Sequence, residues 1–230
     1  RLVPQIAYYV YSYVKLVESG VLKNGQPMNV VVPTGNFGNI LAAYMAGEMG
    51  INIGRLICAS NENKVLTDFL RTGIYDARRD FHLTNSPSMD ILVSSNLERL
   101  LYLLSERSGA AVSRWMNELE KEKVYEVTAE VKEKLSGFYG GFCTEKETLD
   151  AIGRMWAEEK YLMDTHTAVA YKVYEDYAAE TGDDTPTVIA STASAYKQDK
   201  DSCGSLKRYN RLRLHEGSEK RDRSKNPVGT

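Results

Sequence analysis

A segment near the start of the chain does most to limit what this sequence can fold into. Residues 30–44 read VVVPTGNFGNILAAY, which is an apolar strand pattern, then a glycine turn, then a helix pattern. The mostly apolar run 55–60 supplies a second strand and completes a strand–helix–strand unit. Because neither strand alternates polar and apolar residues, both are expected in a parallel sheet that is covered on both faces. The sequence predicts an α/β fold with a mostly parallel sheet and helices on both faces.

The rest of the chain is predicted to be mainly helical. A capping box, Thr144 followed by Glu147, marks the start of one helix. Residues 61–90 are polar and turn-rich around a short apolar piece, and we expect them to form a long functional loop, either a lid or a docking surface. The helices are predicted over 4–19, 37–49, 95–108, 111–121, 128–135, 144–160 and 165–181, and the strands over 29–33, 55–60 and 186–194.

Composition excludes several classes of function. The chain has 230 residues, 43% of them hydrophobic, and a formal net charge of -2, so neither nucleic acid nor a membrane surface is indicated as a partner. No apolar run approaches the roughly 20 residues that cross a bilayer, and the first residues lack signal-peptide features, so we expect a cytoplasmic protein. Its cysteines and histidines are widely spaced, which predicts free thiols and no metal site.

The two ends of the chain raise separate expectations. The sequence begins at Arg1 and enters an apolar helix at once, which indicates a fragment whose first helix is covered by another part of the parent protein. Residues 198–230 contain few aliphatic side chains and mix acidic with basic ones, so we expect a disordered tail.

The glycine turn is a candidate anion site. The backbone N–H groups of residues 35–39 are expected to converge at the start of the following helix, where its dipole favours an anion. Neither GxGxxG nor a Gly-Lys-Ser/Thr sequence is present, so the expected ligand is a phosphate smaller than a nucleotide. A glycine turn that only joins strand to helix and binds no ligand is an equal alternative on these residues alone. The hydroxyl residues Ser191 and Thr192 close the predicted strand 186–194, and they would face the same cleft if the two strands are neighbours.

The segment PTGNFGNILAAY closely resembles the phosphate loop of threonine synthases, which are pyridoxal phosphate (PLP) enzymes of fold type II with a tryptophan synthase β-like fold. Further segments resemble the same family in the same order, and the bacterial and fungal type is the more similar one. The resemblance covers residues 1–197 and implies the C-terminal part of the PLP-binding large domain. The further segments are ASNENKVLTDFLRTGIYD, SPSMDILVSSNLERLLYLL, GFYGGFCTEKETLDAI, DTHTAVAYKVY and VIASTASAYK.

The resemblance implies a set of site residues. Thr192, or else Ser191, would hydrogen-bond the pyridine nitrogen of PLP. Asn96 and Arg99 would bind substrate, although Arg99 could instead pair with a nearby acid on its own helix. His166 matches a family motif in which Thr165 replaces a proline, and a structural role at a helix start is favoured over a catalytic one. The residues implied to hold the cofactor phosphate are Gly35, Asn36, Phe37, Gly38 and Asn39.

The lysine that binds PLP covalently lies in a Phe-Lys-Asp context in this family, and the chain has no such lysine. The sequence therefore predicts no catalytic residue and no turnover by the isolated chain, with the missing N-terminal half of the enzyme as its partner. The parent protein would convert O-phospho-L-homoserine and water to L-threonine and phosphate. The alternatives are another enzyme of the same fold, such as a cysteine synthase or a serine dehydratase, and a non-catalytic remnant that binds phosphate.

Overall fold

A computed structural model describes residues 2–195 of the chain. The predictions for the tail 198–230 and for the domain boundary at 197 lie outside the described residues. The helices are α1 (Leu2–Glu18), α2 (Gly38–Glu48), α3 (Val65–Thr72), α4 (Leu97–Leu104), α5 (Gly109–Glu122), α6 (Ala129–Leu135), α7 (Glu145–Glu159) and α8 (Thr165–Thr181). The strands are β1 (Met28–Pro33), β2 (Ile53–Ser60), β3 (Ile74–Asp76), β4 (Val124–Glu126), β5 (Phe138–Phe142) and β6 (Thr187–Ile189).

The main sheet has four strands in the order β5-β2-β1-β6. All of its pairings are parallel, with Val31 of β1 beside Ile57 of β2 on one side and Ile189 of β6 on the other. The carboxyl ends of β1 and β6 therefore lie next to each other. The predicted α/β fold with a mostly parallel sheet is confirmed.

Apolar side chains cover both faces of this sheet. Val30 and Val32 belong to a core cluster that also contains residues of α2 and α3. Val31 points to the opposite face and belongs to a second cluster with Val169 and Val173 of α8. Burial on both faces is the reason that β1 shows no polar alternation.

Strand β5 was not predicted, because its sequence FYGGF contains two glycines and glycine weakens a strand interior. Tertiary packing explains both glycines. A Cβ atom on Gly140 would lie 2.9 Å from the carbonyl oxygen of Thr67 in α3, and one on Gly141 would lie 2.5 Å from Cγ1 of Val173 in α8. The two glycines let helices approach the strand closely from opposite faces.

The prediction of one long loop over 61–90 is wrong in its first half, where α3 and β3 form. Helix α3 has a strongly apolar face that packs on β5. The remaining polar part is ordered by the side chain of Asn61, which is 1% exposed. Its amide donates to Thr84 Oγ1 over 2.8 Å and to Asp90 Oδ1 over 2.7 Å. These bonds fix a short 3-10 helix, Pro87–Met89, above the end of β1.

Some element boundaries also differ from the predictions. Strand β6 spans Thr187–Ile189 only, so the hydroxyl residues that follow it are outside the sheet. Helix α4 ends at Leu104 and not near residue 108, because Glu106 and Arg107 adopt positive φ angles of 57° and 63°. The predicted capping box of α7 is confirmed: Thr144 accepts from the Glu147 amide and the Glu147 carboxylate accepts from the Thr144 amide.

Helix α1 buries Tyr9 and Tyr13 against α2 and exposes apolar side chains on its other side, among them Val3 and Tyr11. The idea that another part of the parent protein covers this side stays a prediction. Within residues 2–195, none of the helices combines the length and apolar character needed to span a membrane. Burial raises the pKa of the Cys58 thiol to about 12, which keeps this free cysteine protonated.

Candidate functional site

A cleft of about 850 Å³ opens at the carboxyl end of β1. It is lined by the whole predicted phosphate turn 35–39, by Ser95, Asn96 and Arg99 around the start of α4, and by Thr192 after β6. Ser191 lies in a neighbouring groove, which Thr192 and Asn39 also line. The sequence-predicted residues that the structure brings together in the cleft are Gly35, Asn36, Phe37, Gly38, Asn39, Asn96, Arg99 and Thr192.

The backbone amides of the turn are available to a ligand. The sheet ladder ends at Thr34, whose N–H donates to the carbonyl of Ala59 over 2.8 Å. Helical bonding begins with the amide of Leu41, which donates to the carbonyl of Phe37 over 3.1 Å. Between them, the amides of residues 35–40, which include the predicted turn 35–39, donate no hydrogen bond to any part of the chain that the structure describes. A run of free donors at a helix N-terminus is an arrangement that binds anions.

The left-handed residue of the turn is Phe37 and not a glycine, with φ at 63°. This conformation is strained for a residue with a side chain, and packing maintains it. The Phe37 ring is 1% exposed, and its centroid lies 6.0 Å from that of Phe138. A left-handed residue between free amides is typical of anion-binding nests.

The glycines of the turn permit close approach. A Cβ atom on Gly35 would overlap the carbonyl oxygen of Ser88 in the 3-10 helix. A Cβ atom on Gly38 would project into the cleft, 3.4 Å from the side-chain nitrogen of Asn96. The free amides and the space at these glycines fit a phosphate group held by the main chain.

The wall opposite the turn is tied to it through Asn96. Both the backbone N–H and the side-chain amide of Asn96 donate to the carbonyl of Asn36, over 3.1 and 2.8 Å. The Arg99 guanidinium donates to the side-chain oxygen of Asn96 and lines the cleft. The alternative pairing of Arg99 with an acid on its own helix is not formed within the described residues. Arg99 thus presents a positive charge to the cleft.

Asn39 takes part through its backbone. Its side-chain oxygen already accepts a hydrogen bond of 2.6 Å from the hydroxyl of Tyr9 in α1. Burial raises the pKa of the Tyr9 phenol, so the hydroxyl remains a donor. The bond fixes the first turn of α2 and leaves the Asn39 amide N–H free.

The two hydroxyl residues after β6 are not equivalent. Ser191 Oγ lies within hydrogen-bond distance of Thr167 Oγ1, at 3.1 Å, and of the carbonyl oxygen of Ala193, at 3.4 Å. The Thr192 hydroxyl is exposed to the cleft and makes no hydrogen bond with the described part of the chain. Of the two, Thr192 is the hydroxyl that is free to bond a ligand in the cleft.

Ser88 and Ser94 were not predicted as site residues. Ser94 Oγ donates to the carbonyl of Gly35 over 2.9 Å, and Ser88 lines the cleft with its hydroxyl bonded to the ring of His166. Both serines lie in segments that match the family, but a serine in a polar loop is too common for the sequence to single it out. The bond to Ser88 is a contact of the His166 ring with a residue outside α8, in addition to the position of His166 in the first turn of that helix.

Together these features define a class of protein, an α/β protein with a cleft at the carboxyl edge of a parallel sheet, where unused backbone donors form an arrangement suited to a phosphate-like anion. The fold is similar to that of PLP-bound threonine synthase from Brucella melitensis, with a TM-score of 0.80 and 33% sequence identity. The sequence is 45% identical over 195 residues to threonine synthase-like 1 of Macaca fascicularis, and 36% identical over 222 residues to threonine synthase of Schizosaccharomyces pombe. No family model matches the chain. The chain belongs to the threonine synthase family, as its motifs predict.

The similarity covers most of this chain and less than half of each relative. It extends over 84% of this chain and 26% of the macaque protein, and over 87% of this chain and 43% of the S. pombe enzyme. For the Brucella structure the shares are 89% and 42%. The chain therefore spans only a part of the length of the proteins that it matches.

Proposed function

We propose that this chain is part of a PLP-dependent threonine synthase, which converts O-phospho-L-homoserine and water to L-threonine and phosphate. The observation that supports this most directly is the run of free amides at residues 35–39, in a cleft that Thr192 also lines. The similarity to a PLP-bound threonine synthase supports the choice of PLP as the phosphate-bearing ligand.

In this proposal the main chain of residues 35–39 holds the cofactor phosphate, helped by the dipole of α2. The Thr192 hydroxyl hydrogen-bonds the ring nitrogen. Because this hydroxyl is neutral, the ring nitrogen stays largely unprotonated, which suits elimination and replacement chemistry. When bound, PLP supplies an electron sink for the carbon that carries the amino group.

Arg99 and Asn96 are assigned to the substrate. A guanidinium group binds a phosphate or carboxylate through two parallel hydrogen bonds, and Arg99 faces the cleft without a carboxylate partner in the described residues. Asn96 orients Arg99 and also ties α4 to the turn. The covalent lysine has no counterpart in the chain's motifs, and we assign it to another part of the parent protein.

The phosphate assignment is tested by titrating the purified chain with PLP and with pyridoxal, which lacks the phosphate, and measuring both affinities by calorimetry. We expect PLP to bind at least about tenfold more tightly, a difference of about 1.4 kcal/mol. Inorganic phosphate should compete with PLP. Equal affinities for PLP and pyridoxal would exclude the main chain of residues 35–39 as the binding site of the cofactor phosphate.

The ring-nitrogen assignment is tested with Thr192→Val, which keeps the side-chain shape and removes the hydroxyl. We expect a shift in the absorption band of bound PLP for this variant. Ser191→Ala is the matched control and should leave the band in place, because Ser191 Oγ already bonds to Thr167 and Ala193.

The assignment of the lysine to another part of the parent protein predicts no turnover by the chain alone. Purified chain supplied with PLP and O-phospho-L-homoserine should release no threonine, and the full-length parent protein should release it. Threonine formation by the chain alone would show that the covalent lysine lies within these residues.

A further inference from the structure

A serine, a histidine and an aspartate form a chain of hydrogen bonds in the wall of the cleft. Ser88 Oγ is bonded to Nε2 of His166, and Nδ1 of His166 lies 3.3 Å from Oδ1 of Asp164. Ser88 is exposed to the cleft, whereas His166 and Asp164 are each 2% exposed. An accessible hydroxyl, a buried imidazole and a buried carboxylate in this order are the parts of an activated-serine triad.

Asp164 is held as a carboxylate. It caps α8 by accepting hydrogen bonds from the backbone amides of His166 and Thr167, over 2.9 and 3.2 Å, and its second oxygen accepts from the Thr167 hydroxyl. Burial raises the pKa of the Asp164 carboxyl, but the hydrogen bonds from His166 and Thr167 outweigh it and hold the pKa below its usual value. An ionised carboxylate at Nδ1 places the ring proton there and leaves Nε2 to accept the proton of Ser88.

Ser88 is also fixed relative to the free amides. It lies in the 3-10 helix Pro87–Met89, whose position is set by the Asn61 network, and its carbonyl oxygen rests on Gly35. Ser88 therefore lines the same cleft as the donors of residues 35–39, and its hydroxyl is bonded to the His166 imidazole. Hydroxyl, base, orienting carboxylate and anion donors in one cleft are what proton transfer at a bound oxygen needs.

We infer that Ser88, His166 and Asp164 form a proton-transfer triad that acts on the ligand of this cleft. Ser88 is the group that contacts the ligand, His166 takes the Oγ proton on Nε2, and Asp164 stabilises the resulting imidazolium. A capping role for Asp164 alone does not need Nε2 of His166 to bond a hydroxyl in the cleft. The side-chain contact of His166 distinguishes the triad from a structural helix start.

The natural use of the triad rests on the proposed function, in which water adds and phosphate leaves. A proton of the water passes to Ser88 Oγ as the Ser88 proton passes to His166 Nε2, so the water oxygen becomes a better nucleophile. The same two steps in reverse return the proton to an oxygen of the released phosphate. The net result is one proton moved from water to phosphate, with the triad restored.

The reactivity of the triad can be tested without the cofactor, by treating the purified chain with a fluorophosphonate probe. The Ser88 oxygen forms a bond to phosphorus, fluoride leaves, and the Ser88 proton passes to Nε2. We expect mass spectrometry of peptides to find Ser88 labelled at least about 100-fold faster than Ser95, which is exposed in the same cleft without a histidine partner. His166→Gln should slow the labelling of Ser88 by about 100-fold or more.

Asp164→Asn is the conservative variant, because it keeps the capping oxygen and removes the charge. It should slow Ser88 labelling by at least about tenfold while circular dichroism and the thermal midpoint stay close to wild type. Labelling of Ser88 no faster than that of Ser95, or equal labelling in both variants and wild type, would overturn the inference. The outcome is independent of the proposed function, since failure of PLP to bind would overturn that function and leave the labelling result unaffected.

Discussion

Two glycine pairs of the chain, one adjacent in sequence and one three residues apart, differ in what requires them. Gly140 and Gly141 lie inside β5, where a Cβ atom on either would meet α3 or α8 within 3 Å. Gly35 and Gly38 lie in the turn after β1, where only Gly35 is held by a comparable contact, with the 3-10 helix. Gly38 meets nothing closer than the flexible side chain of Asn96. Packing thus explains three of the four glycines, and the cleft explains the fourth.

This difference shows that a glycine motif indicates a ligand only after packing has been considered. The pair in β5 serves the approach of helices to both faces of a strand. The turn after β1 combines such a packing requirement with backbone donors that the described chain does not use. The free amides, more than the glycines, mark the functional region. Four substitutions test this separation, one at each kind of position.

Gly141→Ala should have the largest effect, a loss of about 3 kcal/mol in the free energy of unfolding, because the new methyl group overlaps Val173 in a packed core. Urea denaturation measures the change. The double variant with Val173→Ala should lose less than the sum of the single variants by more than about 1 kcal/mol. Strict additivity would show that the overlap is not the cause.

Gly35→Ala should cost about 2 kcal/mol, less than Gly141→Ala, because the 3-10 helix above it can move more easily than a core helix. Since the overlap is with the Ser88 carbonyl, this movement also displaces the Ser88 hydroxyl from His166. Labelling of Ser88 by a fluorophosphonate should fall together with the urea midpoint. A normal midpoint with normal labelling would mean that the turn tolerates a Cβ at this position.

Gly38→Ala should change the free energy of unfolding by less than about 0.5 kcal/mol, since the new methyl group meets no backbone atom. The affinity for PLP should fall by about tenfold, or 1.4 kcal/mol, because the methyl group projects towards the anion donors. Calorimetric titration measures this loss. An unchanged affinity would place the phosphate away from the first turn of α2.

Gly109→Ala should have the smallest effect, a gain of about 0.5 kcal/mol in the free energy of unfolding. Gly109 begins α5, its φ is not positive, and a Cβ atom there would meet nothing within 4 Å. The affinity for PLP should stay at the wild-type value, which makes this variant the control for Gly38→Ala. Destabilisation would show that glycine at a helix start has a use in this chain besides packing or ligand binding.

Much of the fold was predictable because the local sequence of several segments is enough to indicate their secondary structure. The apolar run and turn of residues 30–44 predicted β1 and α2, and Thr144 with Glu147 predicted the start of α7. Strand β5 and helix α3 were not predicted, because FYGGF has weak strand propensity and α3 is an eight-residue helix within a polar region. The contacts between α3 and β5 override those local preferences.

The candidate site likewise contains residues that the sequence predicts and residues that it does not. The turn 35–39 follows one predicted strand and Thr192 lies near the end of another, so their common position at the sheet edge could be expected from a parallel order. Ser88 could not be found, because its hydroxyl meets His166 only when a loop folds over the end of β1 and reaches the start of a distant helix. The sequence separation of these two residues is 78, and no local pattern encodes such a contact.

The sequence by itself determined the parallel α/β class, the capping box of α7 and the family motifs, because periodicity, capping chemistry and turn residues act over a few neighbouring positions. Only the tertiary structure decided which glycines are required by packing, which backbone amides remain without an acceptor, and which hydroxyl is bonded to an imidazole. These properties depend on what lies within a few ångströms of each atom, and residues far apart along the chain supply those neighbours.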